Sequence, residues 1–343
     1  MAQFSLVSMT PSILLAVPNV SEGRDDATIA RIGAAFAARA PAAGGAEALR
    51  LLDVHSDVDH HRSVFTLAGQ APALADALLR GAAEAVAAID VVVRASGDSA
   101  EAGVHPHVGA IDVVPLVYFD PRARGAACAE ALVVADRIGS ELDVPVFLYG
   151  ELAAGRLGAT RAELRRGGVL GLARRMAGEG DSAAAMTTPL RPDFGPSAPH
   201  PRAGATLVAA REPLVAFNLQ LRPPADLDDA RRIAALVREG GERGLPGVRA
   251  IGVALSGGAA QVSMNVERPL ELPLAEVVNA VARHAPLESA ELVGLAPRAA
   301  LDGFPGDLPL AGFDQERHVI ESALSATGLG AGGPSANAVR ENH

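Results

Sequence analysis

Short apolar runs alternate with helical repeats along the first part of the chain. Ile29, Ile32 and Phe36 recur at helical spacing, which predicts a helix over Asp25–Ala38. Short apolar segments without that spacing predict strands. In chain order the pattern predicts strand Ile13–Val17, the helix, strands Leu49–Val54 and Ser63–Ala68, helix Ala73–Ala88 and strand Ile111–Val117. This β-α-β-β-α-β order is the split βαβ arrangement.

The second part of the chain repeats the order of elements without obvious sequence identity. The predicted elements are Leu214–Leu219, Asp228–Glu239, Ala250–Leu255, Ala260–Val266, Leu274–His284 and Glu291–Leu295. Gly257-Gly258 supplies a hairpin turn between the two middle strands. The sequence therefore predicts an α/β (α+β) fold of two ferredoxin-like βαββαβ subdomains, residues 12–210 and 211–326.

The connection between the two parts is long for a compact protein. A helix over Ala126–Leu142 and a strand over Val144–Tyr149 extend the first part, and residues 151–211 then contain a basic helical piece, Thr160–Met176, and a Pro/Gly/Ser-rich run, Pro189–Gly204. A connection of this length is usually functional or disordered. The Gly/Ala/Ser/Asn-rich residues 327–343 predict a disordered tail.

Charge and composition narrow the classes of partner. The net charge of −10 argues against nucleic acid or an anionic membrane as a partner. The chain contains no lysine, so an anion site must be built from arginine, histidine or backbone N–H groups. A single cysteine excludes an intrachain disulfide. No signal peptide or membrane-spanning run is evident, which predicts a cytoplasmic protein.

The first candidate site is Pro18–Arg24, between a predicted strand and a predicted helix, where open α/β sheets place ligands. Asn19 can both donate and accept hydrogen bonds, and Glu22 and Arg24 could meet the two ends of a zwitterion. The alternative is an ordinary helix start that Ser21 caps. The pattern alone leaves both interpretations open.

The second candidate site follows a predicted strand and contains the alternating polar residues His55, Asp57, Asp59 and His60. Histidines and carboxylates on one side of an extended segment are typical of some zinc-dependent hydrolases. Against this, the adjacent Arg62 would repel a divalent cation. The alternatives are a metal-dependent hydrolase and a polar loop between two strands.

The third and fourth candidate sites are built on proline and glycine. Proline restricts the residue that precedes it, so His105 in His105-Pro106 approaches the strand Ile111–Val117 on a stiff segment, where an imidazole could exchange protons near neutral pH. An ordinary loop histidine is the alternative. The turns in Arg191–Gly204 predict a shaped loop with exposed backbone N–H groups, or a stiff linker.

Taken together and in order, these segments resemble the formiminotransferase family. The resemblance covers about residues 12–300. Its motifs are Val17-Pro18-Asn19-Val20-Ser21-Glu22-Gly23-Arg24; Leu52-Asp53 with Arg62-Ser63-Val64; His105-Pro106 with Gly109-Ala110-Ile111-Asp112; Asp143-Val144-Pro145-Val146-Phe147-Leu148-Tyr149-Gly150-Glu151; Pro192-Asp193-Phe194-Gly195-Pro196; Ala216-Phe217-Asn218; Gln261-Val262-Ser263 with Asn265; and Glu291-Leu292-Val293-Gly294-Leu295.

The resemblance implies a reaction in histidine breakdown: transfer of a formimidoyl group between N-formimidoyl-L-glutamate and tetrahydrofolate, in a cleft between the two subdomains. It implies His105 as the general base. It also implies tetrahydrofolate as cosubstrate, no metal or covalent cofactor, a homodimer, and no fused cyclodeaminase domain. The implied folate-binding residues are Gly195, Pro196, Ser197, Ala198, Pro199, His200, Pro201, Arg202, Ala203 and Gly204.

For the amino-acid substrate we expect Asn19, Glu22, Arg24, Asp53, Arg62 and Asp112. Arginines hold carboxylates in two-pronged pairs, and we expect Asp53, Asp57, Asp59 and Asp112 to line a pocket for the cationic amidinium.

Three departures from the family pattern stand out. His107 lies where the family usually has arginine, His61 lies where it often has asparagine, and Arg94–Val104 is several residues longer than expected. They leave open a second interpretation, in which the formimidoyl group moves to or from a different amine.

Overall fold

Two β-sheets with helices packed on them make up the computed structural model, which describes residues 12–38, 49–97, 106–153, 160–179 and 188–329. The strands of the first sheet are β1 Leu14–Ala16, β2 Asn19–Val20, β3 Leu49–Asp57, β4 Arg62–Gly69, β5 Ile111–Val117, β6 Val146–Leu148 and β7 Thr206–Arg211. Both β1 and β2 pair with β4 and β5. They are two pieces of one strand, because Pro18 between them has no N–H to continue the ladder.

The helices of the first half are α1 Asp26–Ala37, α2 Ala71–Ala88, α3 Val91–Ser96, α4 Arg124–Glu141, α5 Arg161–Leu164 and α6 Gly168–Ala177. Helices α1, α2 and α4 share an apolar core with one face of the sheet. Helices α5 and α6 pack through Leu164, Leu172 and Met176 on the other face, beside β5–β7–β6.

The start of α1 differs from one of the two interpretations of its sequence. Asp25 is the N-cap, and its side chain accepts hydrogen bonds from the N–H groups of Ala27 and Thr28. Ser21 does not cap the helix. Its hydroxyl instead donates to the carbonyl oxygen of Gly109 at 2.7 Å, so it ties the first strand to the segment before β5.

The predicted connection over 151–211 was wrong at its end and in its helical piece. Thr206–Arg211 forms β7, a parallel strand between β5 and β6. The helical piece Thr160–Met176 is two helices, because Gly167 and Gly168 adopt φ values of 75° and 62° that end one helix and start the next.

The second sheet contains β8 Val215–Leu221, β9 Val248–Ala254, β10 Ala260–Val266, β11 Leu287–Val293 and β12 Leu310–Ala311. Its helices are α7 Leu227–Val237, α8 Leu274–Ala282, α9 Gln315–His318 and α10 Ile320–Ala326. The predicted hairpin turn is confirmed: Gly258 has a φ of 80°, and its N–H donates to the carbonyl oxygen of Leu255 at 2.9 Å. Of the predicted tail 327–343, residues 330–343 lie outside the described residues.

The two halves have the same strand topology, and the predicted α/β fold is confirmed. The strand orders are β3-β4-β1/β2-β5 in the first sheet and β9-β10-β8-β11 in the second, with antiparallel pairing throughout these strands. Each is the order of a split βαβ unit. The first sheet continues past β5 with two parallel strands, whereas the second adds only the short β12.

The faces of the sheets that α1, α2, α7 and α8 leave uncovered meet across the middle of the molecule. An apolar contact joins Leu15, Ala68 and Val117 of the first half to Leu295 and Ile320 of the second. Polar contacts add to it at the turn after β3, where the N–H of Ser256 donates to Asp59 Oδ1 at 3.0 Å. These contacts enclose a cleft between the two halves.

Candidate active site

A cavity of about 770 Å³, including its part open to solvent, lies in this cleft. The first sheet contributes Asn19, Val64, Thr66 and Val113, and the second half contributes Ala216, Asn265 and Val293–Leu295. A ligand there would contact both halves.

Four arginines line this cavity. Arg62 begins β4, Arg211 ends β7, and Arg161 and Arg165 lie one helical turn apart at α5. No Asp or Glu of the described ranges is part of the same lining. The Nε atoms of Arg62 and Arg211 are buried without a hydrogen-bond partner among the described residues.

The positive charges of the four arginine side chains repel one another. Burial lowers the pKa of Arg62 and of Arg211 to about 10, and the neighbouring Arg165 and Arg161, respectively, add to the effect. Burial and Arg165 also lower the pKa of Arg161. Buried charges without a partner are costly, so an anion bound here would be strongly favoured. Arginine forks match carboxylates and phosphates, which makes the cavity a candidate site for an anion of either kind.

A smaller cavity of about 250 Å³ adjoins the first and shares Asn19, Arg62 and Arg165 with it. Its lining also includes His60, His61, His107 and Asp112. Asp112 is buried between two donors: the N–H of Val108 donates to Oδ1 at 2.8 Å, and Arg165 pairs with Oδ2. This carboxylate therefore fixes the turn that precedes β5 and neutralises one of the four arginines.

Glu22 lies behind the smaller cavity and is 3% exposed. Its Oε1 accepts from the N–H groups of Gly23, Arg24 and Asp25 at 2.9–3.1 Å, at the start of α1, and its Oε2 pairs with Arg94. Burial alone would raise the pKa of Glu22, but these hydrogen bonds outweigh it and hold the pKa below the usual value. Glu22 is thus an anchored carboxylate that holds the loop after β2.

His61 lies next to Glu22 in the turn between β3 and β4, with a φ of 49°. The N–H of Gly23 donates to His61 Nδ1 at 3.1 Å, and Glu22 Oε1 is 3.5 Å from the same atom. Burial lowers the pKa of His61 to about 4; Glu22 opposes that shift, whereas Arg94, Arg24 and His107 add to it. The imidazole is therefore neutral at pH 7.

The proposed folate loop, residues 195–204, lies beside the segment that follows His105. The N–H of Ala110 donates to the carbonyl oxygen of Ala203, and the N–H of Ala205 donates to Val108, both at 2.9 Å. A Cβ at Gly109 would overlap the carbonyl oxygen of Ala205, so only glycine allows this approach. At its other end the loop packs through Gly195 on Gly139 of α4. None of its residues lines either cavity.

Only some of the predicted site residues line the cavities. Asn19 and Arg62 line both cavities, whereas Arg24 and Asp53 line neither. Arg24 Nε donates to the carbonyl oxygen of Val58, and Asp53 Oδ1 is 3.8 Å from Arg317 of the second half. His105 lies outside the described residues, which resume at Pro106.

Three of the four candidate carboxylates for the amidinium pocket line neither cavity. Of Asp53, Asp57, Asp59 and Asp112, only Asp112 lines a cavity. The others are held elsewhere, because the turn after β3 uses Asp57 to accept from backbone N–H groups, and Asp59 accepts from Ser256. Charge at the site is dominated by arginine.

The histidines and aspartates of this turn do not converge as metal ligands. His60 Nδ1 is 2.7 Å from Asp57 Oδ2, whereas His55 Nε2 points to Glu291 of β11 at 3.6 Å. No group of three or more His, Cys, Asp or Glu in the described part of the chain is arranged to hold a metal ion. The geometry gives the metal-dependent hydrolase no support.

Sequence reasoning missed Arg161, Arg165 and Arg211. Arg161 and Arg165 are four residues apart, the spacing that puts side chains on one face of a helix, and both fall in the piece recognised only as basic. Arg211 follows Leu207 and Ala209 at strand spacing, which would have placed it on the same sheet face had β7 been predicted.

Comparison with known proteins decides the family. The model of the formiminotransferase domain, N-terminal subdomain, matches residues 13–211. The chain belongs to the formiminotransferase family. The resemblance predicted from the motifs is confirmed.

Family members of two lengths match this chain. The glutamate formimidoyltransferase of Streptococcus pyogenes serotype M1 is 33% identical, covering 91% of this chain and 98% of that protein. The glutamate formimidoyltransferase of Thermoplasma acidophilum is 31% identical, covering 91% and 97%. The formimidoyltransferase-cyclodeaminase of Gallus gallus is 33% identical over 91% of this chain but only 56% of its own length. The chain thus matches nearly the full length of the relatives that are named for formimidoyl transfer alone.

None of the helices in the described ranges of this family member has the length and apolar character needed to cross a membrane.

Proposed function

We propose that this protein is a glutamate formimidoyltransferase that acts between N-formimidoyl-L-glutamate and tetrahydrofolate. The single observation that carries the proposal is the cleft with four arginines between two sheets, in a chain that matches formimidoyltransferases nearly end to end. A substrate with two carboxylates supplies the anions that these arginines require.

In the proposed reaction N5 of tetrahydrofolate attacks the amidine carbon of formimidoylglutamate. A tetrahedral intermediate forms, the bond from that carbon to the glutamate nitrogen breaks, and the products are 5-formimidoyltetrahydrofolate and glutamate. The attacking nitrogen loses one proton and the leaving nitrogen gains one. A histidine with a pKa near neutrality can perform both transfers in turn, and we assign this role to His105 from the family resemblance.

The described residues supply positioning. Arg62, Arg161, Arg165 and Arg211 hold the carboxylates, and the cleft keeps both substrates out of bulk water. Asp112 lines the smaller cavity and holds Arg165 in place through their ion pair. For tetrahydrofolate we retain residues 195–204 as the contacting loop, and its support is that Ala203 accepts a hydrogen bond from the N–H of Ala110, in the segment that follows His105.

The test is an assay of purified protein with N-formimidoyl-L-glutamate and tetrahydrofolate, followed by chromatographic detection of 5-formimidoyltetrahydrofolate and glutamate. We expect both products in equal amounts and no turnover when either substrate is omitted. Tight tetrahydrofolate binding without transfer would contradict the proposal and indicate a folate-binding protein instead.

A second candidate function changes the partner amine and keeps the chemistry. The observation in its favour is that two of the three departures from the family pattern, His61 and His107, line the same small cavity. A panel of formimidoyl donors with different amino-acid parts tests it. Formimidoylglutamate should give the highest kcat/KM if the first proposal holds, and another donor should exceed it if the second does.

The boundaries 12–210 and 211–326, the cytoplasmic location and the homodimer stay predictions. The boundary rests on the change from the first sheet, which ends at Arg211, to the second, which begins at Val215. Light scattering on the eluting protein tests the dimer, with a mass of twice 34.9 kDa expected.

A further inference from the structure

His61 lines the smaller cavity, and no motif of the sequence marks it as a binding residue. We propose that the Nε2–H of His61 contacts a carboxylate of the amino-acid substrate and forms a carboxylate subsite with Arg62 and Arg165. This inference rests on the proposed function, and it adds a residue that determines affinity for the formimidoyl donor. All three side chains line the same cavity of about 250 Å³.

The backbone around His61 fixes the orientation of the ring. Because the N–H of Gly23, which also donates to Glu22 Oε1, donates to Nδ1, we assign the proton of the neutral imidazole to Nε2, on the other side of the ring. A Cβ at Gly23 would overlap the carbonyl oxygen of Asp57 and the N of Arg62, so glycine is required for the two loops to approach. The contact between Gly23 and His61 therefore depends on the glycine at position 23 and on the close packing of the two loops.

The chemistry of His61 suits a donor and does not suit a base. A group with a pKa of about 4 is almost entirely neutral at pH 7 and takes up a proton from an amine only rarely. A neutral imidazole does donate a hydrogen bond, and enzymes use it in that form to polarise or hold a substrate oxygen. His61 Nε2 has no hydrogen-bond acceptor among the residues that the structure describes.

The surroundings select a carboxylate as the acceptor. Arg62 and Arg165 make the cavity cationic, and Asn19 adds an amide. Asp112, the one carboxylate among the described residues of its lining, already accepts from Val108 and Arg165. A bound carboxylate would satisfy His61 and Arg62 together, whereas the cationic amidinium would be repelled by the two arginines.

The test compares His61→Gly with His61→Asn. Glycine and asparagine both tolerate the positive φ at this position, so neither variant strains the backbone. Glycine removes the donor. Asparagine keeps an oxygen that can accept from Gly23 and an amide that can donate. His284→Asn, in the second half and outside both cavities, serves as the control for a histidine lost elsewhere.

We expect His61→Gly to raise the KM for formimidoylglutamate by about ten- to a hundredfold, the loss of a hydrogen bond to a charged group. His61→Asn should recover most of this affinity. The KM for tetrahydrofolate and kcat should change little in both, and the thermal midpoint should fall in His61→Gly, which removes a buried side chain, but stay close to that of the unsubstituted protein in His61→Asn. An unchanged KM for formimidoylglutamate in His61→Gly would overturn the proposal, as would equal losses for both substrates together with a lower thermal midpoint.

A binding measurement separates this proposal from the proposed function. Glutarate carries the two carboxylates of glutamate without an amine, and calorimetry can follow its binding to the unsubstituted protein and to both variants whether or not the protein transfers a formimidoyl group. Weaker glutarate binding in His61→Gly, restored in His61→Asn, supports the subsite even if the transferase assay fails. Equal glutarate binding in all three proteins overturns the subsite even if that assay succeeds.

Discussion

The two halves of the molecule share one strand topology and contribute different chemistry to the cleft. The second half offers amide and apolar side chains, with Asn265, Ala216 and Leu295 in the cavity lining. The first half offers the arginines, and three of the four come from the segment α4–β6–α5–α6–β7 that follows its βαββαβ unit. The two halves therefore share a fold but not the residues of the site, and the segment α4–β6–α5–α6–β7 supplies most of the charge.

The largest effect should come from His105, the proposed general base in the first half. His105→Ala should fold normally and lose activity by about 10²–10⁴, the usual contribution of a well-placed general base. Steady-state kinetics with both substrates checks this, with a thermal melt to confirm folding. Turnover near that of the unsubstituted protein would remove His105 from the mechanism and end the asymmetry between the halves.

The arginines come next. Arg62→Met should raise the KM for formimidoylglutamate by about ten- to a hundredfold, because a hydrogen-bonded charge that contacts the substrate is lost. The matched variant in the second half is Arg222→Met, whose exposed ion pair with Glu288 spans 2.9 Å. That variant should leave the kinetics unchanged and cost at most about 1 kcal/mol of stability. Similar kinetics for the two variants would contradict a charged site in the first half.

Two glycine variants, one in each half, compare how tightly the backbone is packed at the two positions. Gly109→Ala should lower the free energy of unfolding by about 1–3 kcal/mol or more, because its Cβ would overlap Ala205 beside the proposed folate loop. Gly257→Ala, in the hairpin of the second half, has nothing within 4 Å of the added Cβ and should be nearly neutral. Urea unfolding measures both. Equal effects would show that the 109–205 contact is not tightly packed.

Asp57 gives the smallest of these effects, and it depends on pH. Burial raises its pKa, but hydrogen bonds from the His60 side chain and N–H outweigh this and lower it to about 2. A carboxyl group whose pKa is lowered on folding stabilises the protein above its unfolded pKa, and that contribution disappears as the pH falls from about 4 to about 2. Asp57→Asn should therefore cost up to about 2 kcal/mol at pH 7 and little near pH 2. Urea unfolding across this range checks it, and a cost independent of pH would be the contrary result.

Local patterns predicted most of the fold, and one failure shows their limit. The repeated βαββαβ order could be predicted because apolar spacing and turn residues are local properties. The strand Thr206–Arg211 was missed because it follows a Pro/Gly-rich loop and because a buried parallel strand shows no alternation of apolar and polar residues. With that strand, the place of Arg211 in the sheet was missed as well.

The candidate site was predicted less completely than the fold. Asn19 and Arg62 were predicted because they stand inside family motifs at the ends of strands. Arg24 and Asp53 stand in the same motifs, yet they contact Val58 and Arg317 instead of the cavities. A motif specifies which residues are near a site along the chain, and the side-chain direction depends on neighbours that are distant in sequence.

The sequence by itself determined the order of helices and strands and the membership of a family, because both depend on residues close together along the chain. Only the tertiary structure decided that Arg62, Arg161 and Arg211 meet in one cavity, and that His61, hydrogen-bonded to Gly23, lines a second. These groups come from separate segments, and packing of the two sheets brings them together. The charge of the cleft follows from that packing, since the same arginines far apart would be solvated and would attract no common ligand.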